Sequence, residues 1–170
     1  MKILESQLET RLGRVLLFTH DDAVCALGFR GQRGALLRSL ARRFGAFELE
    51  RSSGVGRPGA ALRAYFAGDL GAITSVPLEL AGTPFQRRVW HALRTIPAGE
   101  TLTYAALARA VGRPRAVRAV ARANATNPAC ILVPCHRVIG ADGGLRGYAG
   151  GIQRKRRLLE HERAHSRRAA

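Results

Sequence analysis

The sequence predicts a mixed α/β protein, in which a small N-terminal α/β domain precedes a mainly helical domain with a helix-turn-helix. Two short apolar runs near the start, residues 15–19 and 24–29, have the length and composition of strands. The second half repeats its apolar residues at helical spacing, and two of its helices are separated only by a Gly-Arg-Pro turn. With 170 residues, 46% of them apolar, the chain can form two small cores. We assign residues 1–80 to the first domain, 81–163 to the second and 164–170 to a frayed basic tail.

The remaining elements of the first domain follow from short-range signals. Residues 20–22 predict a turn between the two strands. Apolar residues at helical spacing in 36–44 predict a helix whose other face carries arginines. The Gly/Ser/Pro-rich residues 52–59 predict a loop, and residues 62–66 predict a short helix. Residues 71–82 are the predicted connection to the second domain.

The second domain opens with a strong helix start. Thr83 is a good N-cap, Pro84 suits the first helical position, and Gln86 stands where a capping box needs it. Apolar residues then mark one face of the helix: Phe85, Val89, Leu93 and Ile96. Pro97-Ala98-Gly99 ends the helix.

A helix-turn-helix follows this first helix. Thr103 can cap a helix over residues 104–111, and Pro114 begins the next one after the glycine turn. Three arginines at intervals of three and four residues are predicted to share one face of that last helix: Arg115, Arg118 and Arg122. Such a face can contact DNA phosphates or can simply be solvated, and the spacing alone does not decide between the two.

A cysteine and a histidine are adjacent in the segment that follows. Residues 124–128 predict a turn, and residues 129–133 predict a short buried strand that runs into Pro134-Cys135-His136-Arg137. Residues 152–163 predict a last helix, with Glu162 near its end.

Cysteine beside histidine suggests nucleophilic chemistry. We expect the cationic surroundings, Arg137 among them, to lower the pKa of the Cys135 thiol toward neutrality. Neighbouring side chains of a strand point to opposite faces, so His136 can assist Cys135 only if the backbone turns or a water bridges them. Zinc binding by Cys130, Cys135 and His136 is disfavoured, because the spacing is not the paired pattern of zinc sites. Cys25 and Cys130 are expected to be small buried apolar residues.

The charge of the chain is high and unevenly distributed. Lys+Arg is 28 and Asp+Glu is 12, for a net charge of +16. Residues 1–80 hold 11 basic and 8 acidic residues, whereas residues 81–170 hold 17 and 4. This asymmetry predicts that the second half meets a polyanion. Three cysteines exclude a disulfide scaffold, no apolar run is long enough to span a membrane, and the N-terminus lacks a signal-peptide pattern. A cytoplasmic protein is therefore expected.

Several motifs in order resemble one family. Pro134-Cys135-His136-Arg137-Val138, preceded by Asn127-Pro128 and followed by Gly147-Tyr148-Ala149-Gly150-Gly151, resembles the active-site signature of the 6-O-alkylguanine-DNA alkyltransferases. His161-Glu162 supplies the terminal element. The likeness covers residues 83–163 and is greatest to the stand-alone bacterial form. It implies a ribonuclease-H-like N-terminal domain and a winged-helix-like helix-turn-helix in the second.

The resemblance also implies residue roles. Cys135 would accept the alkyl group, His136 would take its proton through a bound water, Glu162 would hold His136, and Asn127 would support the turn. Tyr104 would rotate the phosphate 3′ to the target nucleotide. Arg118 would replace the flipped base in the duplex. Further DNA contacts would come from Arg113, Arg115 and Gln86. The base pocket would be lined by Tyr148, Val138 and Ala149.

Partners and cofactors follow from the same resemblance. The protein would react once with 6-O-alkylguanine in double-stranded DNA, as a monomer, from the minor groove and with little sequence preference. No cofactor is implied, and no metal is expected because the first half holds only Cys25 and His20 as soft ligands. The small polar residues 123–127 predict a roomy pocket that accepts groups larger than methyl, and also 4-O-alkylthymine.

Three other functions are compatible with parts of the sequence. A non-catalytic lesion reader would lack the cysteine. A helix-turn-helix regulator with Cys135 as a redox sensor would bind a palindromic operator as a dimer. A thiol hydrolase would need an oxyanion hole, for which no motif is present, and it would leave the arginine helix unexplained.

Overall fold

The computed structural model describes residues 1–166 and divides the chain into one unit, Met1–Ala81, and a second that begins at Gly82. Strands and helices occur in both units, which gives the mixed α/β class that the sequence predicts. Within the described part of the chain, no helix has both the length and the apolar character needed to cross a membrane.

The first unit is built on a four-stranded sheet of order β3-β2-β1-β4. Its strands are β1 (Lys2–Thr10), β2 (Gly13–His20), β3 (Ala23–Phe29) and β4 (Glu48–Arg51). β1, β2 and β3 are antiparallel neighbours, and β4 pairs in parallel with β1. The two predicted strands lie inside β2 and β3. The sequence prediction misses β1 and β4, because their frequent polar residues leave no continuous apolar run.

A two-residue turn joins β2 to β3, as the sequence predicts. Asp21 and Asp22 have φ angles of 47° and 63°. Positive φ at both central residues is the requirement of a type I′ turn, whose twist matches that of the strands it joins.

Two helices complete the first unit. α1 (Arg33–Phe44) packs Leu36 and Leu40 against sheet residues that include Ile3 and Phe18. α2 (Gly56–Ala67) begins inside the segment predicted as a loop, so that prediction is wrong for residues 56–59. The reason is that proline is tolerated in the first turn of a helix, and Pro58 is buried there rather than ending the helix.

The second unit is mainly helical. Its helices are α3 (Pro84–Arg94), α4 (Tyr104–Ala110), α5 (Val117–Ala125) and α6 (Ile152–Ser166). β5 (Leu102–Thr103) and β6 (Val138–Ile139) form a two-stranded parallel sheet, which the sequence did not predict. α3, α4 and α5 contact one another pairwise and form the helix-turn-helix unit.

The predicted capping box at the start of α3 is confirmed. The Thr83 hydroxyl accepts a hydrogen bond from the Gln86 backbone N–H at 3.2 Å, and the Gln86 side chain accepts one from the Thr83 N–H at 3.0 Å. Thr103 caps α4 in the predicted way, accepting from the Ala106 N–H at 3.1 Å. These local signals are recovered because each involves residues only three apart in sequence.

α5 begins later than the sequence predicts. Its first residue is Val117, and the backbone N–H of Ala116 instead bonds the carbonyl of Arg113 at 2.9 Å in a tight turn. Arg115 therefore precedes the helix, and only Arg118 and Arg122 share its exposed face. Pro114 fits the turn equally well, since its fixed φ also suits a turn.

Two further predictions in the second unit are wrong. Residues 129–133 are buried, but they form a tight reversal with a Cys130–Val133 bridge rather than a strand. α6 continues through Ser166, three residues into the predicted frayed tail. The remaining tail residues, 167–170, lie outside the described part of the chain.

Candidate active site

Cys135, the candidate nucleophile, lies in a single 3-10 turn. Cys135–Arg137 forms this turn, with the Arg137 N–H bonded to the Pro134 carbonyl at 3.0 Å. The turn supplies the change of direction that lets adjacent side chains act on one site, which an extended strand would prevent. Cys135 is only 6% exposed and His136 is fully buried.

A strained reversal leads into this turn and is held by Asn127. The Asn127 side chain donates to the Val133 carbonyl at 2.7 Å and accepts from the Ala129 N–H at 3.0 Å. It also hydrogen-bonds the Cys135 thiol. Between these anchors, Ile131 has a φ of 73°, a conformation that costs a β-branched residue roughly 1–3 kcal/mol. The segment before Cys135 is therefore held by its hydrogen bonds against a local preference for another shape.

Glu162 organises the buried side of the site. Its carboxylate accepts from His136 Nε2 at 2.8 Å, and from Arg137 Nε and Nη2 at 2.9 and 2.8 Å. It also accepts from the Gly99 N–H at 3.1 Å. Gly99 has a φ of 85°, and a Cβ there would lie 2.5 Å from the hydroxyl of Ser166, so glycine is needed at this contact.

This network fixes the tautomer of His136. Because Nε2 donates its proton to Glu162, the lone pair is on Nδ1. Nδ1 is buried, and no hydrogen-bond partner for it lies within residues 1–166. The pKa of His136 is lowered, mainly by burial. The Glu162 carboxylate raises this pKa, and the positive charges of Arg137 and Lys155 lower it further. The imidazole is thus neutral near pH 7, with Nδ1 as a base.

The charge environment of Cys135 differs from the sequence expectation. Burial raises the pKa of its thiol to about 11, although the Asn127 hydrogen bond and the Lys155 charge act in the opposite direction. Arg137 does not supply the expected field, because its guanidinium binds Glu162 and the Ile96 carbonyl. Cys135 is therefore a thiol at neutral pH and must lose its proton as it reacts.

Lys155 is a candidate functional residue that the sequence did not reveal. It is fully buried, and its Nζ donates to the carbonyls of Val138 at 2.6 Å and Arg146 at 2.8 Å. Burial lowers the pKa of Lys155, and proximity to Cys135 raises it. The sequence contains one hint of this: Lys2 and Lys155 are the only lysines among 28 basic residues, so a lysine at position 155 departs from the chain's strong preference for arginine.

Tyrosines approach the cysteine from two elements. Tyr104, the first residue of α4, is half-buried, and its pKa is raised by burial and then by Cys135. Tyr148 is half-buried and hydrogen-bonds the Cys130 thiol, which in turn interacts with Cys135. Of the predicted pocket residues, Tyr148 therefore lies beside Cys130, and Val138 directly follows the 3-10 turn that contains Cys135. Cys130, expected to be a bystander, lies among them.

The predicted DNA contacts lie on the helix-turn-helix. Arg113 and Arg115 are exposed in the turn, and Arg118 is exposed on α5. Ala149, predicted for the base pocket, is also exposed. The Gln86 side chain is used within the fold, since its Nε2 donates to Thr126 at 3.1 Å in addition to the capping bond. A DNA contact by Gln86 stays a prediction.

Comparison with known proteins adds independent information. The family model described as 6-O-methylguanine DNA methyltransferase, DNA binding domain, matches residues 84–164. The methylated-DNA–protein-cysteine methyltransferase of Shigella flexneri is 42% identical over 171 residues, covering 95% of this chain and 96% of the relative. The Mycobacterium bovis protein of the same name is 48% identical over 152 residues, covering 86% and 91%. The crystal structure of Mycobacterium tuberculosis OGT in complex with DNA matches with a TM-score of 0.80 and 41% identity, over 97% of this chain and 94% of that one.

Proposed function

Because the chain belongs to the methylated-DNA–protein-cysteine methyltransferase family, we propose that it repairs DNA by transferring the alkyl group of 6-O-alkylguanine to its own Cys135. The observation that carries the proposal is the buried series Cys135, His136 and Glu162, with the imidazole fixed by Glu162 at 2.8 Å. We assign the chemistry to the second unit, and a supporting role to the first.

The chemical step balances with the residues present. The Cys135 sulfur attacks the alkyl carbon, the bond between that carbon and the guanine oxygen breaks, and a thioether forms. The thiol proton passes through a bound water to His136 Nδ1, while Glu162 stabilises the resulting imidazolium. The imidazolium returns this proton through the bound water to the leaving guanine, which becomes the normal base, and His136 is neutral again. Lys155 stabilises negative charge on sulfur, and Asn127 holds the loop in place. No residue here activates water against a thioether, so each molecule reacts once.

DNA binding brings the base to the sulfur. The lesion is out of reach inside a duplex, so the nucleotide must be flipped at a cost of a few kcal/mol. Arg118 fills the gap in the duplex, Tyr104 rotates the 3′ phosphate, and Arg113, Arg115 and Arg122 bind phosphates with little sequence preference. Entry from the minor groove suits the small residues Ala116 and Ala119 beside Arg118. The Mycobacterium tuberculosis relative is known in complex with DNA, which supports DNA as the partner.

The flipped base is bound in a pocket beside Cys135. Tyr148 and Ala149 border the base, and the Val138 carbonyl, held by Lys155, reads its edge. The pocket accepts groups larger than methyl and also 4-O-alkylthymine. The protein works as a monomer in the cytoplasm. The alternatives are not favoured, because the homologues are named as methyltransferases and the cysteine of a catalyst is present.

Mass spectrometry tests the reaction directly. After mixing with a duplex containing 6-O-methylguanine, the peptide with Cys135 gains one methyl group per protein, and the Cys135→Ser variant gains none. Absence of the adduct, or more than one turnover per protein, rejects the proposal. Duplexes with methyl- and benzylguanine that react at equal rates support the roomy pocket, and failure of the benzyl substrate rejects that part alone.

A further inference from the structure

The outer face of α3 carries a stripe of basic side chains that the proposed reaction does not use. All four members are exposed, and we call them the α3 stripe: Arg87, Arg88, His91 and Arg94. α3 contains no aspartate or glutamate. The side chains recur at intervals of three and four residues, so they lie along one side of the helix.

This stripe points away from the face predicted to bind the lesion. The buried side of α3, at Val89, Trp90 and Leu93, packs toward α5, and the Trp90 indole N–H donates to the Ala123 carbonyl at 2.9 Å. At 3.6 residues per turn, Arg88 and His91 lie on the opposite side of α3 from these buried residues. In α5, the exposed Arg118 and Arg122 likewise lie opposite the buried Val120 and Ala123. Two helices that bury their facing sides therefore present their basic sides in opposite directions.

The stripe is not needed for α3 to form. The capping box and the buried face already account for the helix. Within the fold, Arg87 Nη1 donates to the Gly82 carbonyl at 2.7 Å, and the Arg87 side chain is still exposed. Residues 82–166 contain four acidic residues against 15 arginines and lysines, so this part of the chain carries a surplus of positive charge. An exposed basic face on such a unit attracts a polyanion.

We propose that the α3 stripe binds the phosphate backbone of a second DNA duplex while α5 holds the first. The stripe spans eight residues and seven helical rises, about 10 Å, which matches two to three phosphates along one strand. A protein that bridges two duplexes passes directly from one segment to the next without first dissociating into solution. The inference rests on the proposed DNA contact of α5 and extends it to the search for damage.

A competitor titration tests direct transfer. The full chain is bound to a short fluorescent duplex, and its dissociation rate is measured by stopped-flow anisotropy against rising concentrations of unlabelled duplex. Transfer through a bridged state makes the rate rise linearly with competitor, whereas simple dissociation makes it constant. The wild-type protein is expected to show the linear rise, and a rate independent of competitor overturns the inference.

Two matched pairs of adjacent arginines make the test specific. The double variant Arg87→Gln/Arg88→Gln is expected to lower the slope against competitor by about tenfold and to reduce its salt exponent by about 2. Arg156→Gln/Arg157→Gln removes the same charge from exposed positions of α6 and is expected to keep most of the slope. An unchanged slope in the α3 variant, or an equal loss in the α6 variant, overturns the inference. Methyl transfer from a single saturating duplex separates the two proposals: both variants retain it if the reaction proposal is correct, and the wild type lacks it if that proposal fails.

Discussion

At the scale of single residues, the site combines a neutral base with a buried ammonium. His136 is held by Glu162 and can accept a proton at Nδ1, while Lys155 places its positive charge near the sulfur and donates to two backbone carbonyls. A buried ammonium is costly unless its charge is used. Its position next to the thiol supplies that use in the proposed reaction, which passes through negative charge on sulfur.

Replacing Lys155 by methionine tests this role. Lys155→Met removes the charge at similar volume, so the pKa of Cys135 is expected to rise by about one unit or more, with the rate at neutral pH falling about tenfold. The measurement is iodoacetamide labelling of the Cys135 peptide against pH, without DNA. Lys155→Arg, which keeps the charge, is expected to restore part of the rate. A Met variant with an unshifted pH profile would show that Lys155 acts only on the backbone of the pocket.

At the scale of elements, α3 positions α5. Its capping box satisfies N–H groups at its start, and its Trp90 bonds the last turn of α5. α3 therefore fixes where Arg118 is presented.

Loss of the cap has a predictable cost. Thr83→Ala removes the hydroxyl acceptor of the Gln86 N–H and is expected to lower the free energy of unfolding by about 1 kcal/mol. Denaturant titration measures it. Thr83→Ser keeps the hydroxyl and serves as the control, with a change of a few tenths of a kcal/mol or less. Equal losses in both variants would assign the effect to the methyl group of threonine.

The two arginines on the exposed face of α5 have different proposed roles: Arg118 fills the gap left by the flipped base, and Arg122 binds a phosphate. Arg118→Ala is expected to slow lesion repair roughly tenfold or more, since stabilisation of the flipped state is lost, while stability changes by less than about 0.5 kcal/mol. Arg122→Ala, on the same face, is expected to weaken binding to damaged DNA and to undamaged DNA by the same factor. Single-turnover repair and binding to the two DNAs measure the difference. If Arg118→Ala merely matches Arg122→Ala, the wedge role is wrong.

At the scale of the whole molecule, each unit contains a carboxylate that folding keeps ionised. The hydrogen bond from Arg33 lowers the pKa of Glu5 in the first unit. Burial would raise the pKa of Glu162, but His136 and Arg137 outweigh it, and the pKa is lowered. A carboxyl with a lowered pKa binds fewer protons folded than unfolded, so its stabilisation is present at neutral pH and is lost on acidification.

The free energy of unfolding is therefore expected to depend on pH in the acid range. The free energy of unfolding is expected to fall as the pH drops below about 4.5, and the loss continues toward the lower folded pKa values. In Glu162→Gln, the free energy of unfolding at pH 7 is expected to be lower by roughly 3–5 kcal/mol, because Arg137 is left without its buried partner. The free energy of unfolding of this variant also falls less steeply as the pH is lowered. Glu160→Gln, at an exposed site on the same helix, is the control and keeps both. Parallel acid curves for the two variants would contradict the assignment.

How far the sequence predicts the molecule depends on the range of each interaction. Capping at Thr83 and Thr103 and the turn at Asp21–Asp22 are local and are predicted correctly. β1 and β4 are missed because partner strands, not their own patterns, make them strands. In the site, the motif identifies Cys135, His136 and Glu162. The burial that raises the thiol pKa and the approach of Lys155 depend on α6 packing on the 3-10 turn, which no short-range pattern encodes.

The chain also carries its own reporter. Trp90 is its single tryptophan, and the side chain is 2% exposed with its indole N–H on the Ala123 carbonyl at the end of α5. The fluorescence of such an indole is sensitive to its hydrogen bond and to access of water. Tryptophan emission therefore originates beside α5. A change in this emission on mixing with DNA would report on the contact between Trp90 and α5 without any added label.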